Sequence, residues 1–327
     1  MRVLAILAAS VVAASVVPCL ATDVPGKKGA RPFRIVGYLP EYRLKAIQST
    51  WGEYLTDIIY FSVEPKETGD LDTSRLNERA LRDLRALAPR KRMRILIAVG
   101  GWGRSKGFAA MATNETRRRD FVRRLTAFCT KHALDGADLD WEFPRGKEEE
   151  EAYCGLIVEL AEAFRPERLL LTAAIRDQSR LSRDAYRALN YVHLMSYDRL
   201  GRHATYAHSI EGVERQLVLG VPKEKLCLGV PFYGRHVSDH ADVRPYKNIV
   251  KNHRPVPDVD EVAGIHFNGI ATIQRKARFA RDKGLGGVMI WELGQDTTDH
   301  TSLLRAVYRS IRSGTGEPAE AAPTIPR

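Results

Sequence analysis

The chain has four cysteines in 327 residues, and no two of them form a C-x-x-C pair. Cys19 sits near the start, which leaves Cys129, Cys154 and Cys227 in the body of the chain. That spacing excludes a disulfide framework and a cysteine zinc site. The three read as small buried side chains, with one bridging pair left open. No G-x-G-x-x-G follows the first apolar run, so a dinucleotide-binding sheet loses its main support. No H-E-x-x-H is present; His236 and His240 are four apart, but Asp239-His240-Ala241-Asp242 reads as loop. After the first residues no apolar run is long enough to span a bilayer. Net charge is +11, densest in PRKRMR (89–94) and RRR (117–119). Those clusters lack interleaved exposed aromatics and mix with acids, as in ERALRDLRAL (78–87), so they read as solvated helix faces, with no nucleic-acid partner. A basic surface still suits an acidic polymer or envelope.

What the chain does have starts at its N-terminus. Arg2 precedes an uncharged run, Val3 to Val17, followed by Pro18-Cys19-Leu20-Ala21 and polar Thr22-Asp23. This reads as a signal peptide over 1–21, and so as a secreted or periplasmic protein. A lipoprotein acylated at Cys19 is the lesser alternative, because Pro18 stands where a small residue is wanted. A polar linker occupies 22–32, the main domain 33–313, and a Pro- and Ala-rich tail that reads as disordered 314–327.

Eight short apolar runs alternate with longer amphipathic stretches between these ends. The runs are 34–39, 57–63, 94–100, 136–143, 169–175, 191–197, 226–234 and 287–293. Helical patterns cover 76–88, 115–133, 148–164 and 269–283, with Asn114 placed to cap the second. Eight buried strands alternating with helices predict an α/β fold, a (β/α)8 TIM barrel. In such a barrel functional residues gather at the C-terminal strand ends. Tyr38, Ser62, Glu142, Tyr197, Asp198, Tyr233, Arg235 and Trp291 all fall there.

The run DGADLDWEFP (135–144) carries Asp138, Asp140 and Glu142 at alternate positions. Alternate side chains share a strand face, about 6.6 Å apart. Leu139, Trp141 and Phe143 face the other way, toward the helices. Three carboxylates so close cannot all ionise cheaply, so at least one pKa should rise and protons should be shared. Glu142, nearest the mouth, is placed to act as a general acid. A Mg²⁺ or Ca²⁺ site is the competing reading, but the calcium-loop glycine is missing and the context is a strand. No metal and no cofactor is expected.

Asp135-Gly136-x-Asp138-x-Asp140-Trp141-Glu142 resembles the D-G-x-D-x-D-W-E signature of family 18 glycoside hydrolases, the chitinases. GYLPEY (37–42), AVGGW (98–102), MSYD (195–198), GVPFYGR (229–235) and GGVMIW (286–291) resemble further strand motifs of that family, in order, and the resemblance covers about residues 33–312. It implies hydrolysis of β-1,4 N-acetylglucosamine linkages in chitin or its oligosaccharides by a substrate-assisted, retaining route. Glu142 would be acid and base, Asp140 would hold the acetamido N–H and offset the oxazolinium charge, Asp138 would share a proton with Asp140, and Tyr197 would hold the acetamido carbonyl. Trp291 would floor the distorted sugar and Trp102 would stack on the next, with Gly101 allowing close approach. Tyr38, Phe61, Met195, Asp198, Tyr233 and Arg235 would complete the walls.

Two departures shape the expectations. Ala98 replaces the family serine that would bond Asp138, so Asp138 is expected to lack that partner. The stretch between Arg235 and Gly286 is short, so the family's inserted α+β domain is expected to be absent or reduced to a loop. An open cleft follows, suited to endo cleavage or short substrates, with no separate carbohydrate-binding module and a monomeric chain. A chitin-binding lectin on the same barrel, and hydrolysis of peptidoglycan or an N-glycan core, are the alternatives. Retention of Glu142 favours catalysis over the lectin.

Overall fold

The computed structural model describes residues 32–87 and 93–312. The expected signal peptide, Cys19, the linker up to Arg31, the tail and most of the 89–94 cluster lie outside the described residues. Eight strands form the barrel: β1 (Arg34–Pro40), β2 (Asp57–Pro65), β3 (Arg94–Gly100), β4 (Gly136–Asp140), β5 (Leu170–Arg176), β6 (Tyr191–Met195), β7 (Leu226–Pro231) and β8 (Gly287–Trp291). Each pairs in parallel with the next, and β8 closes on β1 with Gly287 opposite Arg34. The eight apolar runs are these eight strands. Four runs, 136–143, 191–197, 226–234 and 287–293, extend two or three residues past the strand they contain. β4 stops at Asp140, two residues before Glu142, and Tyr233–His236 is a separate antiparallel strand.

Side-chain alternation sorts the strands into two cores. Ile35, Leu39, Ile58, Tyr60, Ile97, Val99, Leu139 and Val192 pack outward with the helices. Val36, Tyr38, Ile59, Phe61, Leu96, Ala98, Tyr191, Cys227 and Met289 fill the interior. Each buried Val, Ile or Leu is worth about 1.5–3 kcal/mol. A one-residue slip of any strand exchanges the two sets, so register is strongly specified. Trp141 belongs to the outer core, as its alternation required: it stacks on Phe108 at 5.0 Å and meets Tyr153 edge-on at 5.3 Å.

Helices Glu78–Ala86, Glu115–Lys131, Gly146–Glu167 and Ile270–Asp282 fall on the four periodic stretches. The Asn114 side chain caps the second by accepting from the Arg117 N–H at 3.0 Å. Such a cap is worth about 1 kcal/mol. Arg118 and Arg119 pair with Glu159 and Glu115, which makes that basic cluster a paired helix face. Cys129, Cys154 and Cys227 are all free thiols. Among the described residues no helix is long and apolar enough to cross a membrane, and no group of three or more His, Cys, Asp or Glu could hold a metal ion.

The segment between β7 and β8 is reduced, but it is more than a loop. Strands Tyr233–His236, Val243–Pro245, Glu261–Val262 and Ile265–His266 form a small antiparallel sheet, joined by the helix Tyr246–His253. The expected loop gains structure because Tyr233 and Arg235 are anchored on it and Tyr246, Ile249 and Phe267 bury against the barrel's outer core.

Candidate active site

Asp138 and Asp140 point into the barrel from β4, as the alternation predicted, and both are buried. Asp138 is fully enclosed. One oxygen accepts from the Tyr38 hydroxyl at 2.6 Å; the other accepts from Thr172 Oγ1 and lies 3.0 Å from His193 Nδ1. Ala98 stands beside Asp138 in register on β3. The expectation that losing the family serine leaves Asp138 short of partners is therefore corrected: hydroxyls from β1 and β5 and an imidazole from β6 replace it. Thr172 and His193 were missed in the sequence. The available signal was a lone polar residue inside an otherwise apolar strand run.

Asp140 is the contrasting case. Its Oδ1 is buried and has no hydrogen-bond partner, and among the described residues it pairs with no Lys or Arg. Burial first, then the charges of Glu142 and Asp138, push its pKa well above the usual carboxylate range. An acid in this position holds its proton until something arrives that stabilises the anion.

Glu142 follows the end of β4 and is partly exposed at the mouth. Burial and then the charge of Asp198 raise its pKa to about 7, against the opposing backbone N–H of Trp102. Its own backbone N–H donates to Ser105 Oγ at 3.0 Å, and that hydroxyl lies 3.1 Å from the carbonyls of both Gly101 and Asp140. Gly103-Arg104-Ser105-Lys106-Gly107 has the G-x-S-x-G form. It was missed in the sequence, which was counted as holding no G-x-S-x-G; the serine braces the backbone that carries the acids. Gly101 is required on two counts. Its φ is +103°, and a Cβ would lie 2.2 Å from the Phe61 ring. Its N–H donates to the Asp140 carbonyl at 2.7 Å, tying β3 to β4 at the mouth.

Tyr197 and Asp198 follow β6. Burial, then Asp198, Asp140 and Glu142, raise the Tyr197 pKa well above its ordinary value, so its hydroxyl remains a donor. Asp198 sits at φ 65°, a left-handed conformation uncommon outside glycine. Its Oδ1 accepts from the Tyr233 hydroxyl at 2.6 Å and Arg235 Nε at 2.5 Å. Burial acts to raise its pKa, but the nearby His203 imidazole and the hydrogen bonds from Arg235 and Tyr233 outweigh it and hold Asp198 below the carboxylate range.

The predicted wall residues divide by exposure. Trp102 is 78% exposed on the rim, and Trp291 and Met195 are partly buried. Tyr38, Phe61 and Tyr233 are closed off from solvent. Trp291 rests edge-on against Tyr38 at 5.6 Å and Phe61 at 4.9 Å, so those two rings support it from beneath. Arg104 covers the other side of Phe61 at 4.8 Å while pairing with Glu41 at 2.8 Å. The peptide bonds following Phe61, Glu142 and Trp291 are cis.

The model for Glycosyl hydrolases family 18 matches residues 34–296. Probable chitinase 2 of Drosophila melanogaster is 28% identical over 306 residues, covering 72% of this chain and 63% of that protein. Chitotriosidase-1 of Mus musculus is 26% identical over 357 residues, covering 83% of this chain and 77% of its own. The solved structure of the GH18 chitinase ChiB from the chitin utilization locus of Flavobacterium johnsoniae superposes with a TM-score of 0.77 at 27% identity, covering 86% of this chain and 95% of that one. The family match spans the barrel from its first strand to beyond its last, and the chain belongs to glycosyl hydrolases family 18.

Proposed function

We propose that this protein hydrolyses β-1,4 linkages next to N-acetylglucosamine in chitin or its oligosaccharides, with the substrate's own acetamido group as nucleophile. The observation that carries the reading is the graded set of acids: Asp138 fully bonded, Asp140 buried with an unpartnered oxygen, and Glu142 at the mouth with its pKa raised to about 7. Family membership and the relatives named as chitinases support it. A solved structure of the Cycas revoluta GH18 chitinase holds (GlcNAc)4 on the same fold.

These positions support the following chemistry. Protonated Glu142 gives its proton to the leaving glycosidic oxygen as that C–O bond breaks. The acetamido carbonyl oxygen bonds to the anomeric carbon from the opposite face, forming an oxazolinium ion. The positive charge develops beside Asp140, which accepts the acetamido N–H and becomes more acidic as the cation forms. Asp138 is the neighbour with which it shares a proton. Tyr197 donates to the acetamido carbonyl and keeps it in line. Glu142, now a carboxylate, takes a proton from the water that attacks the anomeric carbon as the oxazolinium C–O bond breaks, which restores both the acid and the acetamido group. Two inversions give net retention. Trp291 offers a flat floor for the distorted ring, and exposed Trp102 a stacking platform for a neighbouring sugar. The reduced segment between β7 and β8 leaves the cleft open, which suits internal cleavage or short substrates.

The test is turnover of a chromogenic chitooligosaccharide by the full chain, with Glu142→Gln as control. Wild-type turnover that Gln abolishes supports the reading; wild-type binding without turnover makes the protein a lectin on this barrel. Product profiles on chitin, chitohexaose and peptidoglycan separate the substrate classes. Efficient release from peptidoglycan alone would replace chitin as the substrate.

A further inference from the structure

Behind Asp198 lies a buried polar cluster that the chemistry above does not use. His203 is fully enclosed, and its Nδ1 sits 3.6 Å from Asp198 Oδ1, the oxygen that already accepts from Tyr233 and Arg235. The ring rests on Tyr233 at 5.1 Å and meets His266 edge-on at 5.4 Å. Neither of its nitrogens has a hydrogen-bond partner, the Asp198 oxygen lying just beyond hydrogen-bond distance of Nδ1. The next residue is clamped. Lys276, fully buried on the helix Ile270–Asp282, donates to the Ala204 carbonyl and to Asn268 Oδ1, each at 2.8 Å. Asn268 Nδ2 donates to the same Ala204 carbonyl at 2.8 Å.

A buried lysine without a carboxylate partner is costly. Desolvation lowers the Lys276 pKa to about 7. Burial likewise lowers the pKa of His203, so its ring is neutral at neutral pH. A neutral imidazole beside an anionic carboxylate is useful only as an N–H donor, which requires its Nδ1 tautomer. The clamp on Ala204 holds the backbone in the position where that donor faces Asp198.

We infer that His203, fixed by the Lys276–Asn268 clamp on Ala204, is a positioning residue that orients Asp198 and through it tunes Glu142. The inference rests on the hydrolase reading and deepens it. Asp198 is the charge that favours the protonated form of Glu142. With the imidazole removed, Asp198 relaxes toward solvent on Arg235 and Tyr233, and Glu142 releases its proton more easily. The charged and titratable groups facing His203 are Asp198 on its own loop, Arg235, Tyr233 and His266 from the small sheet and Lys276 from its helix, with Arg202 and His208 acting on His266 beyond it. Tyr233 and Arg235 already donate to Asp198 Oδ1, and His203 is the imidazole packed behind that oxygen.

The experiment measures kcat and KM from pH 4 to 9 on 4-nitrophenyl N,N′-diacetylchitobioside for the full-length wild type, His203→Ala, Asp198→Asn and the double variant, with melting temperature as the fold control. For His203→Ala the expected result is a roughly tenfold fall in kcat, with KM changed less than about twofold. Its alkaline limb should move at least half a pH unit lower, in the same direction as Asp198→Asn. The double variant should be no worse than Asp198→Asn, because the two act as one unit. A folded His203→Ala with the wild-type kcat and pH profile, or additive losses in the double variant, would overturn the inference. If His203→Ala does not fold, His203→Asn and His203→Gln carry the test. The Asn amide mimics Nδ1 and should keep near-wild-type behaviour, whereas the Gln amide mimics Nε2 and should not; equal behaviour of the two would overturn it. A wild type that does not turn over removes the hydrolase reading and this inference together; a wild type that does, with an unaffected His203→Ala, removes this inference alone.

Discussion

Asp57 and Asp140 are buried carboxylates at opposite ends of one barrel, and their surroundings differ in kind. Asp57, at the N-terminal end, accepts from Arg34 Nε at 2.8 Å, Arg94 Nε at 2.6 Å and Thr56 Oγ1 at 2.7 Å. Asp140, at the C-terminal end, faces two other acids and, among the described residues, no cation, and its Oδ1 has no partner. Coulomb attraction and hydrogen bonds offset the desolvation of Asp57, while nothing within the described residues does so for Asp140. The first arrangement holds β1, β2 and β3 together at the N-terminal end of the barrel. The second leaves part of the stabilisation unmade, and the proposed mechanism supplies it through its cationic intermediate. Conserving stability at one face and chemistry at the other is the division of labour general to this fold.

The sharpest way to break this contrast is at the mouth. Glu142→Gln removes the transferable proton, so kcat on a chitooligosaccharide should fall by about 10³-fold or more while the protein stays folded. Its stability should respond to pH as well. A raised carboxyl pKa makes the folded state bind more protons than the unfolded one between about 4.3 and 7. The contribution of Glu142 to stability is thus largest below that window and declines as pH rises through it. The melting temperature of wild type relative to Glu142→Gln should therefore decline between pH 4 and 8.

Next comes Asp140→Asn, which keeps shape but removes the anion that offsets the intermediate. A loss of about 10²–10³ in kcat is expected, with a melting temperature at or above wild type because no unpaired acid remains buried. Full activity in this variant would rule out acetamido-assisted catalysis here. The same substitution at the other end should do the opposite. Asp57→Asn leaves two arginines without their carboxylate and should cost about 3–5 kcal/mol in denaturant unfolding, with kcat of the surviving folded protein near wild type. The smallest effect belongs to Ala98→Ser. Asp138 already has three neighbours in hydrogen-bonding range. Restoring the family hydroxyl should change kcat less than about threefold; a larger gain would show that those neighbours replace the serine incompletely.

Much of this was legible in the residues. Period-two alternation placed Asp138 and Asp140 inside and Trp141 outside, and eight apolar runs located eight strands, because a strand buried on both faces leaves a dense β-branched signature. Strand ends were less legible. The apolar composition of 136–143 and 226–234 continues past the last ladder bonds, since Trp141, Phe143 and Phe232 bury or stack without remaining in the barrel sheet. The partners of Asp138 were invisible for a different reason. Tyr38, Thr172 and His193 lie on three other strands, and only barrel closure brings them to one oxygen pair. Ala98 pointed to a loss, but not to what filled it. The same holds for His203 and Lys276, which meet through the Ala204 carbonyl at a sequence distance that no local pattern spans.

The central claim is that the acid at the mouth holds its proton near neutrality because burial and Asp198 oppose its charge. Carbon-13 NMR of side-chain carboxyls, with Glu142→Gln used to assign the signal, reads that proton directly. The account predicts a resonance that titrates near pH 7 in the wild type, vanishes in Glu142→Gln and shifts to lower pH in Asp198→Asn. A Glu142 signal titrating at about 4.3, the value of an unperturbed glutamate, would contradict it.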